Sequence, residues 1–338
     1  MPSARPDGAP DRASIWLGLA ILYVVWGSTY LAIAVAIDTI PPFLMAAVRF
    51  GLAGLLLLGW VALRHRAELR RPTRREVVDA TIIGGLLLGV GMGGVAWGEQ
   101  TIPSGIAALL IAMMPVWVAV LSRVAFGERL PRLAVIGIVV GFAGVAILVG
   151  PTALGVSGAL DAAGLAAILI SPIAWSSGSL YASHRASLPR HPLVSTGMQM
   201  VAGSIVLALM SLVAGEPARF DPAAVSAPSF AAFLYLTVVG SIVAFTTYGW
   251  MLRVAPLPLV ATYAYVNPVV AVILGALVLG EPIEPRTLLA GAVIVAAVAL
   301  IVTARGRMVR PPAASEVTTP PGSSGRRGAP APSRSTSG

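Results

Sequence analysis

Two ionisable residues stand where an apolar chain seldom keeps a charge. Arg49 lies seven residues inside the apolar run 43–63, and Glu99 follows the run 77–98. An arginine about 10 Å along such a helix costs at least a few kcal/mol and needs a partner or water. It can attract an anionic group on a substrate or pair with Glu99; the alternative is a snorkelling or helix-bracing side chain. A partly buried carboxylate can have its pKa raised towards neutrality. Glu99 is therefore the candidate for proton coupling, and a solvated helix-end carboxylate is the simpler reading. Asp38, Asp79 and Asp161 sit at the ends of apolar runs and are weaker candidates.

Neutral residues add to this set. Pro115 and Pro268 each fall about eleven residues into an apolar run, roughly 16 Å along a helix. A proline inside a helix removes one hydrogen bond and clashes with the carbonyl four residues back. Away from water such a break is tolerated where it faces protein or a wet cavity. Two of them at one depth point to a central cavity, an ordinary kinked helix being the alternative. Asn267 places a polar side chain beside the second break, and Met113 and Met114 hold the corresponding place at the first. Trp26, Trp117 and Trp175 are near mid-run, and with Tyr30 and Tyr263 they can stack on a planar or apolar substrate or simply pack. Gln199 occupies the position that corresponds to Arg49 in a second copy of the pattern. The expected substrate-binding set is thus Trp26, Tyr30, Arg49, Pro115, Trp117, Trp175, Gln199, Tyr263, Asn267 and Pro268.

Composition excludes much else. The chain is 57% hydrophobic and 11% charged, against roughly 25% charged for a soluble domain. With no cysteine there is no disulfide, thiol chemistry or cysteine metal site. Every one of the 23 cations is arginine, which removes Schiff-base chemistry and a phosphate-loop lysine. His65, His184 and His191 all lie in polar connections. No cofactor, no metal and no enzymatic cluster is expected. A net charge of +9 could suggest nucleic acid, but the arginines lie between apolar runs and orient the chain in a bilayer instead.

About 20 residues cross a bilayer, and ten runs qualify: 15–37, 43–63, 77–98, 104–122, 133–150, 162–181, 193–214, 230–251, 257–279 and 287–304. The first is too long for a signal-peptide core and reads as an uncleaved helix. Residues 1–14 and 305–338 read as disordered polar tails. Alternating the connections puts 20 of 23 arginines on the side of both termini, which places that side in the cytoplasm.

A shift of 153 positions lays Trp97 on Trp250, Pro103 on Pro256, Pro115 on Pro268, Gly127 on Gly280 and Glu128 on Glu281. Each copy holds five spans, an odd number, so the second enters from the opposite side. The expectation is an all-α polytopic membrane protein of ten transmembrane helices in two inverted five-helix repeats, residues 15–150 and 151–304. Secondary transporters are often built so, with the site at the midplane. The Gly-Glu pairs read as helix stops, glycine taking the left-handed conformation and glutamate facing the next helix start. Glycines four apart, such as Gly85, Gly89 and Gly93, read as packing seams within the protomer. A monomer or weak homodimer is expected.

Trp26-Gly-Ser-Thr-Tyr30, Arg49-Phe50, Pro103-Ser104-Gly105-Ile106-Ala107-Ala108, Ala174-Trp175, Tyr265-Val266-Asn267-Pro268 and Gly280-Glu281 resemble the pattern of EamA-type permeases of the drug/metabolite transporter superfamily. The resemblance covers roughly residues 15–304 and is nearest to a YedA-like bacterial inner-membrane subgroup. It implies export or exchange of a small metabolite, amino acid or drug across the cytoplasmic membrane, with the lipid bilayer and a small-molecule substrate as partners; protons enter as a partner only through Glu99, the candidate for coupling. A passive channel or facilitator shares the same architecture.

Overall fold

The computed structural model describes residues 12–65, 70–128, 130–153, 161–255, 257–260 and 262–308, and among these there is no strand. Pro256, Arg129 and the terminal stretches 1–11 and 309–338 lie outside the described residues. Helix α1 covers Arg12–Ile37 and α2 Pro42–Arg64. Helix α3 runs over Arg74–Gly98 and α4 over Ser104–Phe126. Next come α5 (Arg132–Ala153), α6 (Ala162–His184) and α7 (Pro192–Val213). Helix α8 joins Ala227–Tyr235, Leu236–Val243 and Ala244–Val254, and α9 is Tyr263–Leu279 after a short turn at Leu257–Val260. Helix α10 is Pro285–Met308. Helices α1 and α10 extend into the stretches 1–14 and 305–338 that the sequence reads as tails, as far as Arg12 and Met308; the rest of both stretches lies outside the described residues. Among the described residues, eight helices are long and apolar enough to cross a membrane, and two shorter apolar ones lie at Arg132–Leu148 and Val266–Leu279.

Local chemistry sets the helix ends. Thr73 and Glu76 form a reciprocal capping box at the start of α3, the Glu76 carboxylate accepting from the Thr73 N–H at 2.8 Å. Gly127 and Gly280 stop α4 and α9 with φ of +67° and +66°, as expected of the Gly-Glu pairs. The glutamates act differently from expectation. Glu281 reaches back to α4 and accepts from the N–H groups of Ser104 (2.7 Å) and Gly105 (3.0 Å). Those donors have no partner within their own helix, and they compete better for the carboxylate than the start of α10 does. Glu128 instead lies 3.5 Å from the His184 imidazole.

Packing crosses the middle of the chain. The most extensive helix pairs are α2 with α7, α3 with α6 and α5 with α10. Helix α1 lies against α8 and α9, and α6 against α3 and α4. Small residues permit this. A Cβ on Gly54 would sit 2.9 Å from the Gly197 carbonyl oxygen, and one on Gly84 only 2.2 Å from that of Gln199. Close backbone approach of this kind replaces a hydrophobic drive that lipid cannot supply.

Gly84→Ala is expected to force α3 from α7 and lower stability by about 1–3 kcal/mol or more. Gly85→Ala, whose Cβ would meet nothing nearer than 3.6 Å, is the control. Thermal melts of both detergent-purified variants check this; equal melting temperatures would refute the close contact.

Candidate functional site

A partly open cavity of about 100 Å³ lies where these helices meet. Helix α1 contributes Trp26, Thr29 and Tyr30; α2 contributes Arg49; α3 contributes Gly91, Met92 and Val95. Ala108, Ile111, Ala112 and Met114 come from α4, and Ser171, Pro172 and Trp175 from α6. Gly240 and Phe245 of α8 and Tyr263, Ala264, Asn267 and Pro268 of α9 complete the wall. Seven residues expected from sequence thus meet here: Trp26, Tyr30, Arg49, Trp175, Tyr263, Asn267 and Pro268.

Helix irregularity shapes the wall. Helix α4 breaks at Ala112–Met113 and resumes at Met114, so Pro115 is the second residue of a new helical segment. Its missing N–H costs little there, and it is Met114 and not Pro115 that lines the cavity. Pro115 cannot donate to the carbonyl four residues back, that of Ile111. Pro268 likewise leaves Ala264 without its usual donor. Ile111 and Ala264 both line the cavity. The break expected at Asn267-Pro268 is absent: α9 is continuous from Tyr263, and its interruption lies earlier, with Thr262 preceding the first turn. Two π-helical stretches, Gly85–Met92 and Leu236–Val243, widen α3 and α8 beside the cavity. Such stretches are frequent at functional sites.

The aromatic part is a cluster around Trp26. Its ring meets Tyr263 edge-on at 4.8 Å and Phe245 at 5.8 Å, with Tyr248 tilted at 5.2 Å. Trp117 was expected in the site and is elsewhere. It packs edge-on to Phe142 at 5.5 Å, because the break turns this part of α4 towards α5. Gln199 also stays outside. Its side-chain amide donates to Ser195 at 3.0 Å, one turn back on α7, and its carbonyl faces Gly84.

Polar groups in the site are few. Arg49 is 2% exposed, and its Nε–H donates to the Ser241 hydroxyl at 2.9 Å. The guanidinium carbon also lies 4.6 Å from the centre of the Phe50 ring. The expected pairing with Glu99 is not formed. Glu99 is 7% exposed, lies just past α3 outside the cavity wall, and neither of its carboxylate oxygens has a hydrogen-bond partner. Asn267 is 8% exposed and its amide oxygen has no partner either. Among the weaker candidates, Asp79 accepts from the Tyr181 hydroxyl and the Ser187 N–H, both at 2.7 Å, and so braces α3 against the end of α6. Asp161 caps its own helix through Gly164. Asp38 and Asp161 line a separate polar cleft of about 450 Å³ with Glu216 and Arg219. Sequence reasoning missed Thr29, Ser171, Pro172, Gly240 and Ser241. The proline inside α6 and the serine inside α8 were the available signals.

The model of the EamA-like transporter family matches residues 14–150 and 162–303. The chain is 40% identical over 284 residues to the "Uncharacterized inner membrane transporter YedA" of Escherichia coli K12, covering 84% of this chain and 89% of that protein. It is 29% identical over 302 residues to a "Probable terminal-alkyne amino-acid exporter" of Streptantibioticus cattleyicolor, covering 85% and 93%. A crystal structure superposes with a TM-score of 0.58 at 22% identity, covering 89% of this chain and all of that one, a likeness of fold alone.

Asn267 gives a direct test of whether the cavity is built for stability. A buried acceptor left without a donor costs about 1–3 kcal/mol. Asn267→Leu is therefore expected to raise the melting temperature of the purified protein. A drop would mean that the amide is a packing element and not a group held ready for a ligand.

Proposed function

The chain belongs to the EamA-like transporter family, and from that premise we propose that it is a secondary transporter that exports or exchanges a small metabolite, amino acid or drug across the cytoplasmic membrane by alternating access. The observation that carries the reading is the central cavity, whose wall holds one guanidinium, one unpartnered amide oxygen and an aromatic cluster. Such a wall, mostly apolar with a few convergent polar groups, suits a small organic ligand. Arg49 attracts an anionic group, Asn267 accepts from a donor, and Trp26, Tyr30, Trp175 and Tyr263 enclose the apolar remainder. The exporter relative named for an amino acid makes a carboxylate-bearing substrate the first to try.

Ten spans in two inverted repeats, with both termini in the cytoplasm, fit the helix order and the arginine distribution. The repeats exchange partners: α1 lies with α8 and α9, and α6 with α3 and α4. The bodies that move are then mixed bundles, with the α2–α7 and α5–α10 pairs as the lines about which they rock. Glu99 is the proton-coupling residue in this reading. It is buried just past α3, on the side where Glu281 ties α9 to α4.

Arg49→Ala is expected to abolish counterflow of radiolabelled amino acids in proteoliposomes while the protein still inserts; unchanged counterflow would remove Arg49 from the mechanism. Glu99→Gln is expected to flatten the pH dependence of transport, and an unaltered profile would leave Glu99 a structural carboxylate. Counterflow that is equally fast with the proton gradient collapsed would remove proton coupling from the mechanism.

A further inference from the structure

Arg49 sits in a seat supplied by another helix. Its Nε–H donates to the Ser241 hydroxyl at 2.9 Å, and that hydroxyl donates in turn to the Leu236 carbonyl at 3.0 Å. Ser241 is fully buried. The residue before it is glycine. A Cβ there would come within 3.3 Å of Arg49 Nη2 and 3.2 Å of Thr29 Cγ2, so a larger residue would require the guanidinium or Thr29 to yield by a few tenths of an ångström. Gly240 and Ser241 both belong to the π-helical stretch of α8, whose extra residue per turn alters which side chains face α2.

The chemistry of the fork then becomes directional. A guanidinium can hold a two-oxygen anion side-on, through Nε–H and one terminal nitrogen, or end-on, through both terminal nitrogens. Ser241 occupies Nε–H, which closes the side-on mode. Among the described residues neither terminal nitrogen of Arg49 donates a hydrogen bond, and the side chain forms part of the cavity wall.

We propose that Ser241, with Gly240, is a positioning residue that fixes the Arg49 guanidinium so that it meets a substrate carboxylate end-on through its two terminal nitrogens. This rests on the reading of Arg49 as the anion-binding group. It adds that α8 controls the geometry of that group, so that displacement of α8 from α2 releases the guanidinium and weakens the hold on the anion.

The test uses the full chain in detergent, labelled with 15N-arginine, and two readouts. The first is solvent exchange of the Arg49 Nε–H, assigned by its loss in Arg49→Lys. The second is the affinity for 3-methylbutanoate, a carboxylate with one apolar branch and no other polar group. Ser211→Ala, a buried serine on α7 outside the cavity, is the control. Ser241→Ala is expected to speed Nε–H exchange at least about tenfold and to weaken 3-methylbutanoate about tenfold, the scale of one hydrogen bond to a charged group. Gly240→Ala is expected to weaken the same ligand, and Ser211→Ala to change neither readout. Unchanged Nε–H exchange in Ser241→Ala overturns the seat, a result read without any ligand. Faster exchange with unchanged affinity overturns the positioning role. Binding that is absent, or equal in wild type and Arg49→Lys, overturns the anion reading beneath it.

Discussion

A backbone carbonyl that loses its helical donor in an apolar surround must face something polar, and the centre of this protein is arranged around that constraint. Pro115 and Pro268 deprive Ile111 and Ala264 of the usual i→i−4 donor, and both of these residues face the cavity. Nearby, the fully buried Ser176 of α6 donates to the Met114 carbonyl at 3.2 Å, where α4 resumes after its break. Widened turns in α3 and α8 lie beside the same cavity. Irregular backbone is thus concentrated where a ligand could use it, and regular helix is kept where lipid would otherwise meet unsatisfied groups.

The few charges follow the same logic at the helix ends. Glu281 holds the first N–H groups of α4, and Glu216 those of Phe43 and Leu44 at the start of α2. Arg286 donates to the carbonyls of Ile147 and Leu148 near the end of α5. Each contact joins a charge from the second half of the chain to a helix end in the first, where the helix dipole and the orphan backbone groups favour it. Asp79, held by Tyr181 and Ser187, makes the comparable junction between the start of α3 and the end of α6. Three acids, Asp79, Glu216 and Glu281, thus serve junctions between helices, while Arg49 is placed in the wall of the cavity.

Much of the site was legible because the informative residues are rare types in an apolar background. An arginine inside a run, paired prolines, a lone asparagine and mid-run tryptophans all stand out, and seven of the expected residues share one cavity. The failures have a common cause. Trp117 was placed by depth along a helix and Gln199 by its correspondence to Arg49 in the repeat, yet neither specifies which face points inward. The break beside Pro115 turns the following segment of α4 towards Phe142, and the close approach of α3 at Gly84 leaves Gln199 on a packing seam. Glu99 and Arg49 were paired for charge and comparable depth, whereas the nearer polar group to Arg49 proved to be a neutral serine on α8.

By itself the sequence determined that the chain is helical and apolar, where most helices begin and end, which glycines stop them, and which transporter family it resembles. These depend on composition, periodicity and local backbone preference, all of them short-range. Only the tertiary structure decided the partner of each buried polar group. It exchanged α1 and α6 between the two halves, sent Glu281 to α4, and seated Arg49 on Ser241, 192 residues away in the chain. Those choices turn on how closely two backbones can approach and on which orphan donor or acceptor then lies within about 3 Å, and no run of neighbouring residues encodes that distance.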